Sequence, residues 1–303
     1  MVSAIKESKG DKLFLVLIYL FLTAALIVVL YPLIYMLSAS VSTPKYVNSG
    51  EMWLLPKGLT LEGYKLVFGN AKIWTGYRNT IVYTIIGTLI NLAVTLPAAY
   101  ALSRSDFYGR RLFMIVILIT MFFSGGLVPT YLVVKNLGLI NSMWALILPV
   151  SASVWNIIVA RTFFQSTIPK ELQEAAHIDG CTNMRLFVRI VLPLSAPIIA
   201  VMALFYGVGH WNSYFSALIY LNEESKFPLQ MVLRQILVLQ QMGAETNGAV
   251  LSGEAASLAA SKAEIASLVK YAVIIVSTLP IIAVYPFLQR YFVQGVMIGS
   301  VKG

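Results

Sequence analysis

Apolar residues in this chain gather into six long stretches separated by polar connections. Each approaches the roughly 20 residues that a helix needs to cross a hydrocarbon core of about 30 Å. They run from about Leu13 to Ser38, Thr80 to Leu102, Leu112 to Val134, Met143 to Phe164, Ala196 to Leu221 and Leu268 to Leu288. None holds a Lys, Arg, Asp or Glu well inside, except Arg161 near the end of the fourth. That matters because a charge at mid-membrane costs at least about 2.5–3.5 kcal/mol. Pro32, Pro97, Pro129, Pro149 and Pro280 fall inside the stretches. Lipid-embedded helices tolerate such kinks where neighbours satisfy the freed carbonyls. They either bend single helices or shape a lumen. The expected fold is all-α: residues 1–303 as one polytopic membrane domain of six transmembrane helices.

Short loops set the orientation. The basic connection Arg104–Arg111 belongs on the cytoplasmic side, and Asn136–Ser142, which has no basic residue, belongs outside. Six spans then place both termini in the cytoplasm, with Lys6, Lys9 and Lys12 at one end and Arg290 and Lys302 at the other. The first stretch is too long for the apolar region of a cleavable signal and lacks a small-residue cleavage site, so it reads as a spanning helix. Two long connections, about Ala39–Asn79 and Asn222–Ser267, lie outside. The tail of the second, Gly243–Ala256, is rich in small and polar residues and reads as a loop.

Composition agrees with lipid as solvent: 58% of residues are hydrophobic and 12% charged, against about a quarter charged in soluble domains. A net charge of +9 does not indicate nucleic acid, because the basic residues flank apolar runs instead of forming one stripe. One cysteine, Cys181, excludes an internal disulfide.

The connection from about 165 to 194 has an organisation of its own. Thr167 is positioned to cap a helix that opens on Pro169, Lys170 and Glu171. Leu172, Ala175, Ala176 and Ile178 give that helix an apolar face. Gly180 stops it. A second helix follows, with Met184, Phe187, Val188 and Val191 on one side and Arg185 and Arg189 on the other. Pro193 and Pro197 bound the approach to the fifth span. The segment therefore reads as a stiff cytoplasmic helix–turn–helix. Small Ala175 and Ala176 allow close approach by a partner, while Glu174, Asp179, Arg185 and Arg189 offer charge-assisted contacts.

Glu174-Ala-Ala-His-Ile-Asp-Gly180, followed by Phe187, Ile190 and Leu192-Pro193, resembles the EAA coupling loop of ATP-binding cassette importer permeases. Trp211-Asn212-Ser-Tyr214 and the C-terminal run from Tyr285 to Gly303 are similar to the sugar-importer branch. Over nearly the whole chain the sequence resembles the second permease subunit of maltose-type importers. The resemblance implies a heterodimer with a second permease subunit. Two cytoplasmic ATPases hold ATP and Mg, and an extracytoplasmic binding protein delivers solute. It also implies that Glu174, Ala175, Ala176, Asp179, Gly180 and Pro193 couple to an ATPase. By the same resemblance the tail of about 289–303, with Gly295, Gly299 and Ser300, is expected to insert between the ATPases. The chain itself has no phosphate-binding glycine loop ending in Gly-Lys-Ser/Thr and no catalytic cluster, so it is expected to bind no cofactor or metal and to be no enzyme.

Other readings differ in their chemistry. A secondary transporter needs intramembrane carboxylates, which are absent from the six stretches. A permease for amino acids or phosphate shares the coupling loop but not the Trp-Asn-x-Tyr stretch. His177 is expected at a solvent-facing loop position and His210 in a buried polar role. In the fifth stretch Tyr206, Gly207, His210, Trp211, Asn212 and Tyr214 concentrate hydrogen-bonding groups at one depth. Helical spacing puts Gly207, Trp211 and Tyr214 on about one face, so Trp211, Asn212 and Tyr214 are candidate pathway residues. The alternative is that the glycines allow close packing and the polar groups bond across helices.

Overall fold

The computed structural model describes residues 8–246 and 269–284, with Pro286 and Gln289. Among them there is no strand, only an isolated bridge between Ser42 and Leu59. The helices are α1 (Lys9–Ser40), α2 (Pro44–Asn48), α3 (Glu62–Gly69), α4 (Ala71–Ser103), α5 (Arg110–Phe122), α6 (Leu127–Asn136), α7 (Trp144–Ile147) and α8 (Val154–Thr167). They continue as α9 (Lys170–Ile178), α10 (Asn183–Leu186), α11 (Leu192–Leu194), α12 (Ala196–Trp211), α13 (Tyr214–Tyr220), α14 (Leu229–Thr246) and α15 (Val269–Val284). The chain divides into two compact units, Met1–Asn70 with Gln235–Ser277, and Ala71–Arg234 with Thr278–Gly303.

In the first unit, α1 opens on a capping box. The Ser8 hydroxyl accepts from the Asp11 N–H, and the Asp11 carboxylate accepts from the Ser8 N–H. Its 32 residues span about 48 Å. Its apolar side chains from Leu13 to Leu37 are mostly exposed, as a lipid-facing helix requires. A small core of Ala39, Val47 and Met52 forms around its last turn, with Tyr35, Tyr46 and Tyr271 packed against it.

The second unit is built on α4, which packs along both α8 and α12. Its core includes Ala99, Tyr100, Ala160, Phe164, Phe187 and Met202. Polar groups join α4 to its neighbours. The Asn91 amide donates to the Val150 carbonyl at 2.6 Å, and its oxygen accepts from His210 Nε2 at 2.6 Å. The Thr95 and Tyr206 hydroxyls lie 2.6 Å apart, buried. In a membrane such bonds replace the hydrophobic drive that water supplies to soluble bundles.

Among the described residues two helices, α1 and α4, are individually long and apolar enough to cross a membrane, and three bent pairs are so when each is taken as one span. The continuous third stretch expected from the sequence is broken. α5 and α6 meet at 111°, because Gly126 takes φ 87°, a conformation open chiefly to glycine. The fourth is bent by 51° between Trp144–Val150 and α8. The fifth ends its first helix at Trp211, and its second part is the separate helix α13. The expected shared face of Gly207, Trp211 and Tyr214 is therefore lost. At the break the Val208 carbonyl accepts from both the Asn212 N–H at 3.1 Å and the Asn212 side-chain amide at 2.9 Å, a local side-chain bond of the kind that favours helix ends over helix interiors. α14 was not anticipated: it lies in the connection Asn222–Ser267, to which no helix was assigned, and it is helical from Leu229 to Thr246, so that its last residues fall in the Gly243–Ala256 tail expected to be a loop.

Candidate functional site

The second unit has two polar ends. At one, residues 222–228 are tied down. The Asn79 amide donates to the carbonyls of Ser225 (2.8 Å) and Phe227 (3.1 Å), the Tyr83 hydroxyl to that of Lys226 (3.0 Å), and Thr80 Oγ1 accepts from the Leu229 N–H at 2.8 Å. Asn141, at φ 60°, accepts from the N–H groups of Asn222 and Glu223. Lys226 and Asn141 hold the Glu223 carboxyl below the usual carboxylate range. Lys72 pairs with Glu224.

The opposite end carries the helix–turn–helix. α9 closes with a Schellman motif: the Cys181 N–H bonds to the Ala176 carbonyl at 2.8 Å and the Gly180 N–H to that of His177 at 3.0 Å. Gly180 takes φ 68°, with open space around the position a Cβ would fill. Thr182 then caps α10 through the Arg185 N–H at 3.4 Å. Thr167 does not cap α9 as expected. α8 continues through it to its end, Pro169 occupies the cap position, and the Thr167 hydroxyl is buried without a hydrogen-bond partner among the described residues. Pro193 follows a π-turn at Phe187–Val191. Lacking an N–H, it cannot extend a regular ladder, and the chain then bends by 82° into α12.

Glu174, Ala175, Asp179, Gly180 and Pro193 are exposed, whereas Ala176 turns into the core. Ile178 and Met184 present bare apolar surface, 87% and 71% exposed. His177 is exposed, but on the last turn of α9 instead of a loop. His210 is buried against Asn91, as the sequence suggested.

What sequence reasoning missed is the block behind this element. The buried Arg104 grips Asp106 bidentately, with Nε to Oδ1 at 2.8 Å and Nη2 to Oδ2, and donates to the Tyr100 hydroxyl at 3.2 Å. The guanidinium holds the Asp106 carboxyl below its ordinary range, and the carboxylate raises Arg104 further above its own. The Tyr100 ring stacks on Phe187 at 5.1 Å. The end of α4 is covered by Arg161 Nε on the Leu102 carbonyl (3.0 Å) and, one residue past the helix, by Arg110 Nη1 on the Arg104 carbonyl (3.0 Å), cations where the helix dipole is negative. Arg104, Asp106, Asn183, Met184 and Phe187 border one cavity of about 340 Å³. The α4–α5 connection and the helix–turn–helix thus form one surface. The signal was present as an arginine two residues beyond a long apolar stretch, with an aspartate two residues on.

Near the first end, the candidate pathway residues come together around the α12–α13 break. Trp211 is buried, its ring edge-on to Tyr77 at 6.3 Å. Asn212 is exposed and Tyr214 half-buried. Asn212 accepts from Gln230 Nε2 at 3.3 Å, and the Arg234 guanidinium lies 5.2 Å from the centre of the Tyr214 ring. Gln230 and Arg234 were not anticipated, since they belong to the unexpected α14. The tail residues Gly295, Gly299 and Ser300 lie outside the described residues.

Residues 71–298 match the family described as "Binding-protein-dependent transport system inner membrane component". Protein LplC of Bacillus subtilis (strain 168) is 42% identical over 98% of this chain and 97% of its own length. The polygalacturonan/rhamnogalacturonan transport system permease protein YtcP of the same organism is 40% identical over 97% and 99%. A solved chain from a bacterial ABC transporter involved in the import of the acidic polysaccharide alginate superposes with TM-score 0.83 at 32% identity, covering 95% of this chain and all of that one. A helical membrane body with a polar helix–turn–helix at one end is thus matched along its length, and the chain belongs to the family of inner-membrane components of binding-protein-dependent transport systems.

Proposed function

We propose that this chain is one permease subunit of an ATP-binding cassette importer that carries an oligosaccharide into the cytoplasm. One observation carries the coupling half of that reading. An exposed, glycine-stopped helix–turn–helix is backed by a buried Arg104–Tyr100–Phe187 stack. A short lever packed this way moves α4 and α8 with it instead of folding back. Its face of Glu174, Ala175, Asp179 and Gly180, flanked by bare Ile178, suits a cleft in a cytoplasmic ATPase. Ala176 supports the same helix from the core side, and Pro193 ends the lever. The saccharide half is supported by the relatives that transport polygalacturonan or alginate and by the aromatic and amide groups around Asn212.

In this reading residues 1–303 act as a single permease domain with six spans and both termini in the cytoplasm, in the bacterial plasma membrane. A second permease subunit completes the pathway, two ATPases bind ATP and Mg, and an extracytoplasmic protein delivers solute. The C-terminal tail, with Gly295, Gly299 and Ser300, inserts between the ATPases. This chain binds no cofactor. Trp211, Asn212 and Tyr214 belong to the pathway, Asn212 by direct contact.

The test is ATP hydrolysis by the assembled transporter in proteoliposomes with its binding protein. Oligosaccharides are expected to stimulate hydrolysis, and amino acids and phosphate are not. Stimulation by an amino acid or phosphate alone overturns the saccharide assignment.

A further inference from the structure

The break between α12 and α13 is flanked by one arginine, Arg234, that the pathway reading does not require. α14 starts at a fixed point, because the Leu229 N–H is bound to Thr80 and the preceding carbonyls to Asn79. Leu229, Met231, Val232 and Leu233 are buried and fix the rotation of the helix. Gln230 and Arg234, four residues apart, share one face. Gln230 reaches Asn212, and the Arg234 guanidinium rests over Tyr214. A guanidinium that stacks on a ring keeps its N–H groups in the plane of the fork, free to grip a carboxylate bidentately. Among the described residues no carboxylate pairs with Arg234. Glu223 and Glu224 lie on the preceding loop, but Lys226 and Lys72 already engage them. An exposed arginine is thereby held in place with its charge uncompensated, beside two amides and an aromatic ring.

We propose that Arg234 is a specificity-determining residue that selects saccharides bearing a carboxylate, the uronic acids. Arg234 takes the carboxylate, and Asn212 and Gln230 bond the hydroxyls of the same sugar ring. The inference rests on the proposal that the chain imports an oligosaccharide, and it names the class. A neutral sugar offers this guanidinium only hydroxyls, which form weaker bonds to it than a carboxylate does.

The experiment uses the complete transporter with its binding protein in proteoliposomes. Uptake of trigalacturonate and of its methyl ester, which keeps the ring and removes the charge, is compared for the wild type, Arg234→Gln and Arg234→Lys. Docking of the binding protein is measured in parallel. The wild type is expected to favour the acid. Arg234→Gln should lower acid uptake about tenfold, change ester uptake less than twofold and leave docking intact, with Arg234→Lys in between. Equal loss for both sugars, weakened docking, or no loss at all overturns the role of Arg234. A wild type that prefers the ester overturns it while leaving the saccharide reading standing. If neither these nor neutral oligosaccharides stimulate the wild type, it is the saccharide reading that fails.

Discussion

Gly180 offers a clean separation of backbone shape from side-chain contact. Its φ of 68° lies in the left-handed region, and a Cβ there meets no atom within 4 Å. The cost of substitution is therefore backbone strain alone, about 1–2 kcal/mol for an ordinary L-residue. It is higher for a β-branched residue and lower for asparagine, which visits this region more readily. The strain falls on the two bonds that close α9, from Cys181 to Ala176 and from Gly180 to His177. Since each 1.4 kcal/mol is a factor of ten in an equilibrium, Gly180→Val should lower the ratio of docking-competent to opened turn about tenfold. Gly180→Asn should lower it less than threefold. Solute-stimulated ATP hydrolysis by the reconstituted transporter reads that ratio, with membrane assembly measured beside it. Full stimulation in Gly180→Val would refute the reasoning. Equal impairment by valine and asparagine would also refute it, by making side-chain presence, not φ, the cause.

A methyl group at Gly87 would lie 2.5 Å from the His210 ring, which its bond to Asn91 prevents from swinging away. Gly87→Ala should cost about 1–3 kcal/mol and lower the melting temperature of the detergent-solubilised complex by several degrees. Combined with His210→Ala it should cost less than the sum of the two single changes; strict additivity sinks the contact. Asp106→Asn leaves the buried Arg104 with neutral partners only and should weaken solute-stimulated hydrolysis without reducing assembly. The carboxyl of Asp106 is held below its ordinary range, so its contribution is present above that range and is lost only as pH falls through the lowered value. Stimulated hydrolysis should then show no step attributable to this pair between about pH 5 and 8. A wild-type step in that window that vanishes in Asp106→Asn contradicts this.

The helices were legible where length and composition decide them. α1 and α4 cover the first two stretches, and the turn at Gly180 follows from a glycine after an amphipathic run. Breaks were less legible. Gly125 and Gly126 sit in a run apolar enough to read as continuous, and hydrophobicity carries no information about a backbone at φ 87°. Asn212 reads as a pathway residue before it reads as a helix breaker, yet here its side chain makes both bonds at once, to Val208 and to Gln230. α14 escaped notice because its stability comes from tertiary anchors, Thr80 and Asn79, that lie about 150 residues away in the chain.

The buried face of α4 shows why apolar character alone locates helices in such a chain but not their partners. Over its middle turns Thr80, Gly87, Asn91 and Thr95 are buried while Ile81, Ile85, Leu89 and Val94 are exposed, although Ile73, Leu96 and Leu102 nearer its ends are buried too. In water this pattern would be inverted, because burial would be driven by the aliphatic side chains. In lipid those side chains lose nothing by facing outward. Association comes instead from small residues that let backbones approach and from polar groups that find no partner among acyl chains. The spacing Thr80, Thr84, Thr88, then Asn91 and Thr95, is a polar stripe at helical period. The inward side of α4 is thus written in its hydroxyls and amides, and His210 and Tyr206 of α12 answer it at two successive turns.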